Sequence, residues 1–514
     1  MRRSYAALFA SLLMLSASWT AVAGPPVGPP ATAYAAPPQT TVSYAPSAAL
    51  AGSNLPDLGG PANALISKAE ENQVGRMALQ QLRDQNAILE DPEVADYIQQ
   101  LGMRLASQAH DEGQNFTYNV LREPIINAFA TFGGIICINS GLILVTDDES
   151  QLASVVAHET GHVVQRHMAR SVVDESRMSL ATTAAMLAAM ILGAAAGGGG
   201  QAIEGAMALG QATAYQQEVN YIRSHEIEAD AVGIELLAGA GFDPNEMAAF
   251  FENFSRSEGL SMEGIPALLV DHPVTSERIA AARSRAASFP VKALPESPAF
   301  AFIKERVRVL TASPETHIDQ YYTGIHDHRA LTPAERYGQA LVQIEYKDAA
   351  AAVPTLRELQ TAYPQMTMLY AALGQALAAS GQTREAMTLF QHSIVLFPRN
   401  VPLTVRYAEA LMQNNQPQEA HVLLIDLFNN VDPSPAQIRL TALAASAAGD
   451  AGDAYEYMAE YDLAGGQLAL ANQQLELALA SPGLTNQQRA KFRARLDQVR
   501  GWLREQQQSR HGKS

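Results

Sequence analysis

Two histidines four residues apart with a glutamate between them, His158-Glu159-Thr160-Gly161-His162, are the part of this 514-residue sequence best suited to chemistry. On an α-helix, positions i and i+4 share a face, so both imidazoles can reach one ion. Glu159 stands one residue on from the first ligand. It is near enough to take a proton from a water polarised by the metal without binding the metal itself. Two histidines that merely pack or cap are the alternative. Downstream, Tyr221-Ile-Arg-Ser-His-Glu226-Ile-Glu-Ala-Asp230-Ala-Val-Gly233 places Glu226 64 residues beyond His162. A carboxylate oxygen from Glu226 would complete a two-histidine, one-carboxylate set with one open position, the ligand set of hydrolytic zinc, at one Zn2+ per chain. Asp230 shares a helix face with Glu226 and is placed to accept from the far nitrogen of a ligand histidine, fixing its tautomer. A solvated acidic face is the other reading of this segment. Glu228 lies off that face and Glu218 is isolated, so both are weaker ligand candidates.

Helices and strands must position these groups. Thr146 and Glu149 have the spacing of a capping box. Leu152, Val155, Val156, Val163 and the histidine pair then recur at helical intervals, which predicts one helix of about five turns over 151–170. Before it, residues 117–121, 128–132 and 135–144 are short, β-branched and punctuated by Gly133-Gly134 and Gly141, the pattern of strands. Further upstream, helical patterning begins near Ala62 and passes Arg83. A second helix opens at Asp91-Pro92 and runs to about Ala109. After the Glu226 helix the chain breaks over 239–244, and another helix (245–257) leads towards Asp271-His272-Pro273.

A HExxH helix followed by a second helix carrying Glu226-Ile-Glu228-Ala-Asp230 resembles the M48 family of zinc metallopeptidases. Asn127-Ala-Phe-Ala130, Gly133-Gly134, the run from Glu149 to His158, and His272-Pro273 with Arg278 behind it agree with that family. The resemblance implies an α+β, zincin-like metallopeptidase domain over 55–288, mostly α with a small sheet, acting as an endopeptidase. It implies that Asn127, Ala128, Phe129 and Ala130 supply a strand edge beside the zinc, where an extended peptide pairs by β-augmentation. A purely structural hairpin is the alternative. For His272 the resemblance offers two roles: stabilising the tetrahedral oxyanion, or occupying the open zinc position as a plug. Arg278 would tie the His272 loop down through a carboxylate.

From Pro333 the period becomes about 34. Pro364, Pro398 and Pro433 mark unit ends, while Ala352, Ala386, Ala420 and Ala454 recur 34 apart, as do Leu356, Phe390, Leu424 and Met458. This is the tetratricopeptide pattern. About four units and a capping helix through Trp502 would stack over 333–510 into an all-α tetratricopeptide-repeat solenoid with a concave binding face. Residues 289–332, with Pro290, Pro295 and Pro298, connect the two domains. His317, His326 and His328 lie there without ligand spacing and read as solvated loop.

Arg2 and Arg3, an apolar stretch over 6–17 and Ala21-Val22-Ala23 read as an export signal over 1–23, cleaved after about Ala23. Residues 24–54, rich in Pro, Ala, Ser and Thr, read as a disordered tether. The stretch 178–196 carries no charge and runs into four glycines. A lid over the active site is the favoured reading, with a buried core helix or a membrane span as alternatives. No stable transmembrane anchor is therefore expected. A net charge of −17 argues against nucleic acid and anionic lipid surfaces as partners. The single cysteine, Cys137, cannot form an internal disulfide and reads as a small buried hydrophobe.

With the family resemblance, these features point to an exported, periplasmic zinc endopeptidase acting on misfolded or stalled envelope proteins, outer-membrane proteins among them. The repeats would hold unfolded or misassembled clients, or the outer-membrane assembly machinery, with a possible chaperone role. The alternative is a non-proteolytic repeat-based chaperone or scaffold with a latent zinc site. Glu159 weighs against it, since a purely structural site needs no base.

Overall fold

The computed structural model describes residues 67–109, 114–172, 212–258, 268, 271–290, 297–313, 316–346 and 348–511. The expected export signal, the 24–54 tether and the uncharged 178–196 stretch with its glycines lie outside them.

The first helix, α1 (Lys68–Asp84), opens with a Ser67/Glu70 capping box. In α2 (Pro92–Ala106) the Asp91 carboxylate accepts from Val94 N, and Pro92 fills a first-turn position that has no donor to lose. Strands β1 (Thr117–Leu121), β2 (Ala128–Thr131) and β3 (Ile135–Asn139) form one sheet in the order β1-β3-β2. Central β3 is parallel to β1 and antiparallel to β2, and every one of its residues is buried, Cys137 included. Burial pushes the Cys137 thiol up to about 12, so it is a neutral packing group. Two expected strands are shorter than their sequence pattern. Phe132 starts a 3-10 turn, and beyond Asn139 the chain enters α3 (Ser140–Val145). Its run of apolar residues lacks alternation and suits a helix as well as a strand; Ser140–Ile143 are buried and Val145 is exposed.

The HExxH helix is α4 (Glu149–Val164), and two expectations about it need correction. Its cap is Asp148, whose Oδ1 accepts from Gln151 N at 2.8 Å. Thr146 instead ends α3 and donates to Ile143 O, while Glu149 accepts from Tyr97 Oη, so no capping box forms between them. An ionised Asp next to a helix N-terminus satisfies the free N–H and opposes the dipole. Nor does the helix continue to Arg170. It stops at Val164, Arg166 adopts a left-handed φ of 51°, and α5 (His167–Val172) starts afresh. The buried ion pair between Arg166 and Glu71 of α1 holds that break.

Then follow α6 (Ala212–Gly239), α7 (Glu246–Glu258), α8 (Ser276–Ala286), α9 (Ala299–Thr311) and α10 (Ile318–His326). His317 precedes α10 and His326 closes it, so this stretch is helical where the sequence suggests loop. All three histidines around it are exposed. The connecting segment works by burial: Phe300, Phe302, Ile303 and Val307 of α9 enter the same hydrophobic core as Leu152 of α4 and Leu369 farther on.

The rest is helix pairs: α11 (Pro333–Glu345) with α12 (Ala349–Ala362), α13 (Thr367–Ala379) with α14 (Thr383–Leu396), and α15 (Val401–Gln413) with α16 (Pro417–Phe428). A fourth pair is α17 (Pro435–Ala447) with α18 (Ala451–Ala464), and a fifth is α19 (Leu468–Ala480) with α20 (Asn486–His511). Ala352, Ala386, Ala420, Leu356, Phe390 and Leu424 are fully buried, whereas Ala454 and Met458 are only partly so. The 34-residue spacing therefore marks the packed seam of the first three pairs and loosens at the fourth. The architecture is the α+β domain followed by an all-α repeat solenoid that the sequence implies. Among the described residues no helix is long and apolar enough to cross a membrane.

Candidate metal centre

Helices α4 and α6 pack against each other, and two glycines let them come close. A Cβ on Gly161 would stand 2.8 Å from Ala229 O, and one on Gly233 would stand 3.0 Å from His158 N. Larger residues would push the helices apart and draw the histidines away from Glu226.

At this crossing His158 Nε2 lies 3.1 Å from His162 Nε2 and 3.4 Å from Glu226 Oε2, and His162 Nε2 lies 3.3 Å from Glu226 Oε1. The loop before α8 adds His272, whose Nδ1 is 3.1 Å from both Glu226 oxygens and 3.3 Å from His158 Nε2. One donor atom from each of the four residues falls within 4.8 Å of the others. Ligands held 2.0–2.1 Å from a tetrahedral zinc stand about 3.3 Å apart, so the donor set fits such an ion. Three residues singled out from sequence as ligands are thus joined by His272.

The His272 loop is anchored to the sheet. Leu268 N donates to Ile126 O, His272 N donates to Leu268 O, and Asn127 Nδ2 donates to Asp271 Oδ2 at 2.8 Å. Of the expected edge residues, Asn127 and Ala128 are buried, while Phe129 and Ala130 in β2 are half-buried. β2 packs on α4 at one side of the sheet, and its outer side pairs with no strand among the described residues. A small apolar pocket lined by Phe250, Phe251, Leu268 and Val274 adjoins His158 and His272.

Behind His158, Asp230 Oδ1 lies 2.8 Å from Nδ1. Buried Arg278 grips Asp230 with two hydrogen bonds of 2.7 Å, donates to Pro273 O at 2.9 Å, and stands 3.0 Å from Glu226 Oε2. One guanidinium therefore orders both carboxylates and the His272 loop. Behind His162, His167 Nδ1 is 2.8 Å from His162 Nδ1, and His167 Nε2 is 3.1 Å from Glu228 Oε2, which also takes a hydrogen bond from Arg170. The His225 ring stacks on His167 at 4.1 Å. Nothing in the sequence pattern marked His167 or His225, and Glu228 looked peripheral. His167 follows His162 by five residues, which is off the shared helical face until the break at Arg166 turns it inward.

The electrostatics favour a cation at the point of convergence. Burial opposes charge on His158, yet hydrogen bonds and proximity to Asp230 and Glu226 push it up to about 10. Burial would raise the Glu226 carboxyl, but His272 and the two histidines of α4 hold it well below the usual range. Burial pushes His225 down to about 4 and His167 down further. Glu159 is 1% exposed, and neither of its oxygens has a hydrogen-bond partner among the described residues. Its closest basic neighbour, His272 Nε2, is 3.5 Å away. A buried carboxylate with both oxygens unsatisfied is costly and suits a group kept for a water and a metal.

Comparisons with known proteins agree with this chemistry. The sequence profile of peptidase family M48 matches residues 92–286. The β-barrel assembly-enhancing protease of Escherichia coli is 32% identical over 468 residues, covering 90% of this chain and 94% of its own. A putative β-barrel assembly-enhancing protease of Vibrio cholerae is 32% identical over 385 residues, covering 74% and 78%. The mitochondrial metalloendopeptidase OMA1 of Arabidopsis thaliana is 28% identical over 173 residues, covering 34% and 32%.

Proposed function

Since the chain belongs to peptidase family M48, among its β-barrel assembly-enhancing proteases, we propose that this metallopeptidase uses zinc to cut misfolded or stalled outer-membrane proteins in the periplasm. The observation that carries the reading is the convergence of His158, His162, Glu226 and His272 within 4.8 Å, beside a buried Glu159 that has no hydrogen-bond partner among the described residues. His158, His162 and Glu226 would hold the metal. When bound, zinc supplies Lewis-acid polarisation of the scissile carbonyl and lowers the pKa of the attacking water.

The chain's own groups do the rest. Glu159 takes the proton of the attacking water and returns it to the leaving amine. Asp230, 2.8 Å from His158 Nδ1, is placed to accept a hydrogen bond from it, which leaves the Nε2 lone pair facing the other donors. Arg278 keeps Asp230 ionised and holds Pro273, so His272 stays beside the site. The outer edge of β2, with Asn127, Ala128, Phe129 and Ala130, offers backbone groups to an extended substrate. His272 occupies the fourth position as a plug that withdraws when substrate arrives. The position of its Nδ1, 3.1 Å from both Glu226 oxygens, favours this over the oxyanion role.

On this reading 1–23 is the export signal, 24–54 a tether, 55–288 the peptidase domain, 289–332 the connection and 333–510 the repeats. The repeats recruit clients or the outer-membrane assembly machinery. A repeat-based chaperone with a silent site is disfavoured by the cost of keeping Glu159 buried with no hydrogen bond from the described residues.

The test compares full-length protein with its His158→Ala and Glu159→Gln variants on an unfolded outer-membrane protein, with zinc quantified in each. His158→Ala should lose both zinc and cleavage, and Glu159→Gln should keep zinc and lose cleavage. Stoichiometric zinc in His158→Ala, or undiminished cleavage by Glu159→Gln, would overturn the assignment.

A further inference from the structure

We infer that His167 and Glu228 form a relay that fixes the tautomer and orientation of His162, which makes them positioning residues for the hydrolytic site. The inference rests on the ligand set proposed above.

The direction of each hydrogen bond follows from the geometry: a carboxylate oxygen that already takes a guanidinium N–H is an acceptor. Glu228 accepts from Arg170 at 2.8 Å and lies 3.1 Å from His167 Nε2, so His167 carries its proton on Nε2. With that proton on Nε2, Nδ1 of His167 is the atom turned towards His162 as an acceptor. The proton in the 2.8 Å gap between His167 Nδ1 and His162 Nδ1 must be supplied by His162. His162 is left with its lone pair on Nε2, the atom 3.1 Å from His158 Nε2 and 3.3 Å from Glu226 Oε1. That is the nitrogen a metal needs. The stacked His225 ring, 4.1 Å away and within 8° of parallel, stops His167 from tilting out of line.

The two ligand histidines of α4 are thus ordered by similar chains of different length. His158 Nδ1 lies 2.8 Å from Asp230, which Arg278 neutralises, whereas His162 reaches Glu228 and Arg170 through one extra imidazole. Each ends in a carboxylate paired with an arginine. The break at Arg166 is what makes the longer chain possible, because it carries His167 back across the end of α4.

Zinc affinity and zinc release rate, measured on the full chain by competition with a chromophoric chelator, test the relay. His167→Phe keeps a ring against His225 but removes the acceptor, and it should weaken zinc binding about 10- to 100-fold. His167→Asn should stay close to wild type, because Asn Oδ1 stands where His Nδ1 stands and can accept the same proton. Glu228→Ala should fall between them. Wild-type affinity and release rate in both His167→Phe and Glu228→Ala would overturn the relay. So would a His167→Asn variant as weak as His167→Phe, since the ring and not the accepting atom would then matter. If His167→Phe does not fold, judged by circular dichroism of the metal-free protein, Glu228→Ala decides alone, because Glu228 is partly exposed and its truncation leaves no cavity. The control is His162→Ala. Zinc bound by His162→Ala as by wild type refutes the ligand set itself; zinc lost there but kept in both relay variants refutes the relay only.

Discussion

The buried charge at the domain contact and the buried charge at the metal centre are built on opposite terms. At the contact between α2, α9, α11 and α15, Asp91 and Glu93 meet Arg306 and Arg406. Arg306 grips Asp91 through two hydrogen bonds of 2.7 Å and donates to Tyr337 Oη, while Arg406 reaches Asp91 Oδ2 and Glu93 Oε2, both at 2.7 Å. Burial would raise the Asp91 carboxyl, but the two guanidinium groups hold it far below its usual range. Glu409 pairs with Arg406 as well, at 2.9 Å, and each charged group there is answered by an opposite one. In the metal centre Glu226 and Asp230 share one guanidinium and the site histidines, while Glu159 has no hydrogen-bond partner among the described residues. A fully paired cluster specifies how elements dock. An under-paired one is held in readiness for an ion and a reaction.

The largest expected effect separates the clusters by activity. Glu159→Gln should lower cleavage by about 10³-fold or more, equivalent to about 4 kcal/mol of barrier. Its thermal midpoint should hold or rise, because a buried carboxyl group with no hydrogen bond from the described residues is replaced by an amide. A midpoint several degrees lower would mean that Glu159 has a structural role, and the contrast would collapse.

Arg306→Met should do the reverse. It leaves Asp91 and Glu93 buried with half their compensation, and losing one partner of a buried pair costs about 3–5 kcal/mol. Urea unfolding monitored by circular dichroism measures this, and a midpoint equal to wild type would show the paired cluster to be dispensable.

His272→Ala comes next. If His272 plugs the site, basal cleavage of an unfolded protein should rise several-fold. Loss of about 10²-fold in turnover would instead assign it to the oxyanion. No change in either direction would remove it from the site.

The smallest effect probes a carboxylate that fits neither pattern. Asp462 of α18 is buried, its Oδ2 has no hydrogen-bond partner among the described residues, and desolvation raises it from 3.8 to about 6. A raised carboxyl contributes stability that is complete below its unfolded pKa and lost as pH rises through the folded one. Asp462→Asn should therefore melt above wild type at pH 7 and level with it near pH 4. Equal melting temperatures at both values would show that the carboxylate finds compensation elsewhere.

Much of the site is local and therefore readable along the chain. His158 and His162 share a face because they are one helical turn apart, as do Glu226 and Asp230 on α6. The 34-residue recurrence likewise locates the packed seam of the first three repeat pairs, because identical spacing returns each small residue to the same contact. What local periodicity cannot carry is the meeting of groups from different elements. The cap of α4 is set by which of two neighbouring side chains is free to turn inward, and Glu149 is drawn away by Tyr97 of α2. The left-handed turn at Arg166 depends on Glu71, 95 residues earlier, and through it the place of His167 does too. His272 faces Glu226 across 46 residues because Asn127 and Arg278 pin its loop, and Arg406 finds Asp91 across 315. In each case the sequence specifies the donor or acceptor, whereas the partner is chosen by how distant helices pack.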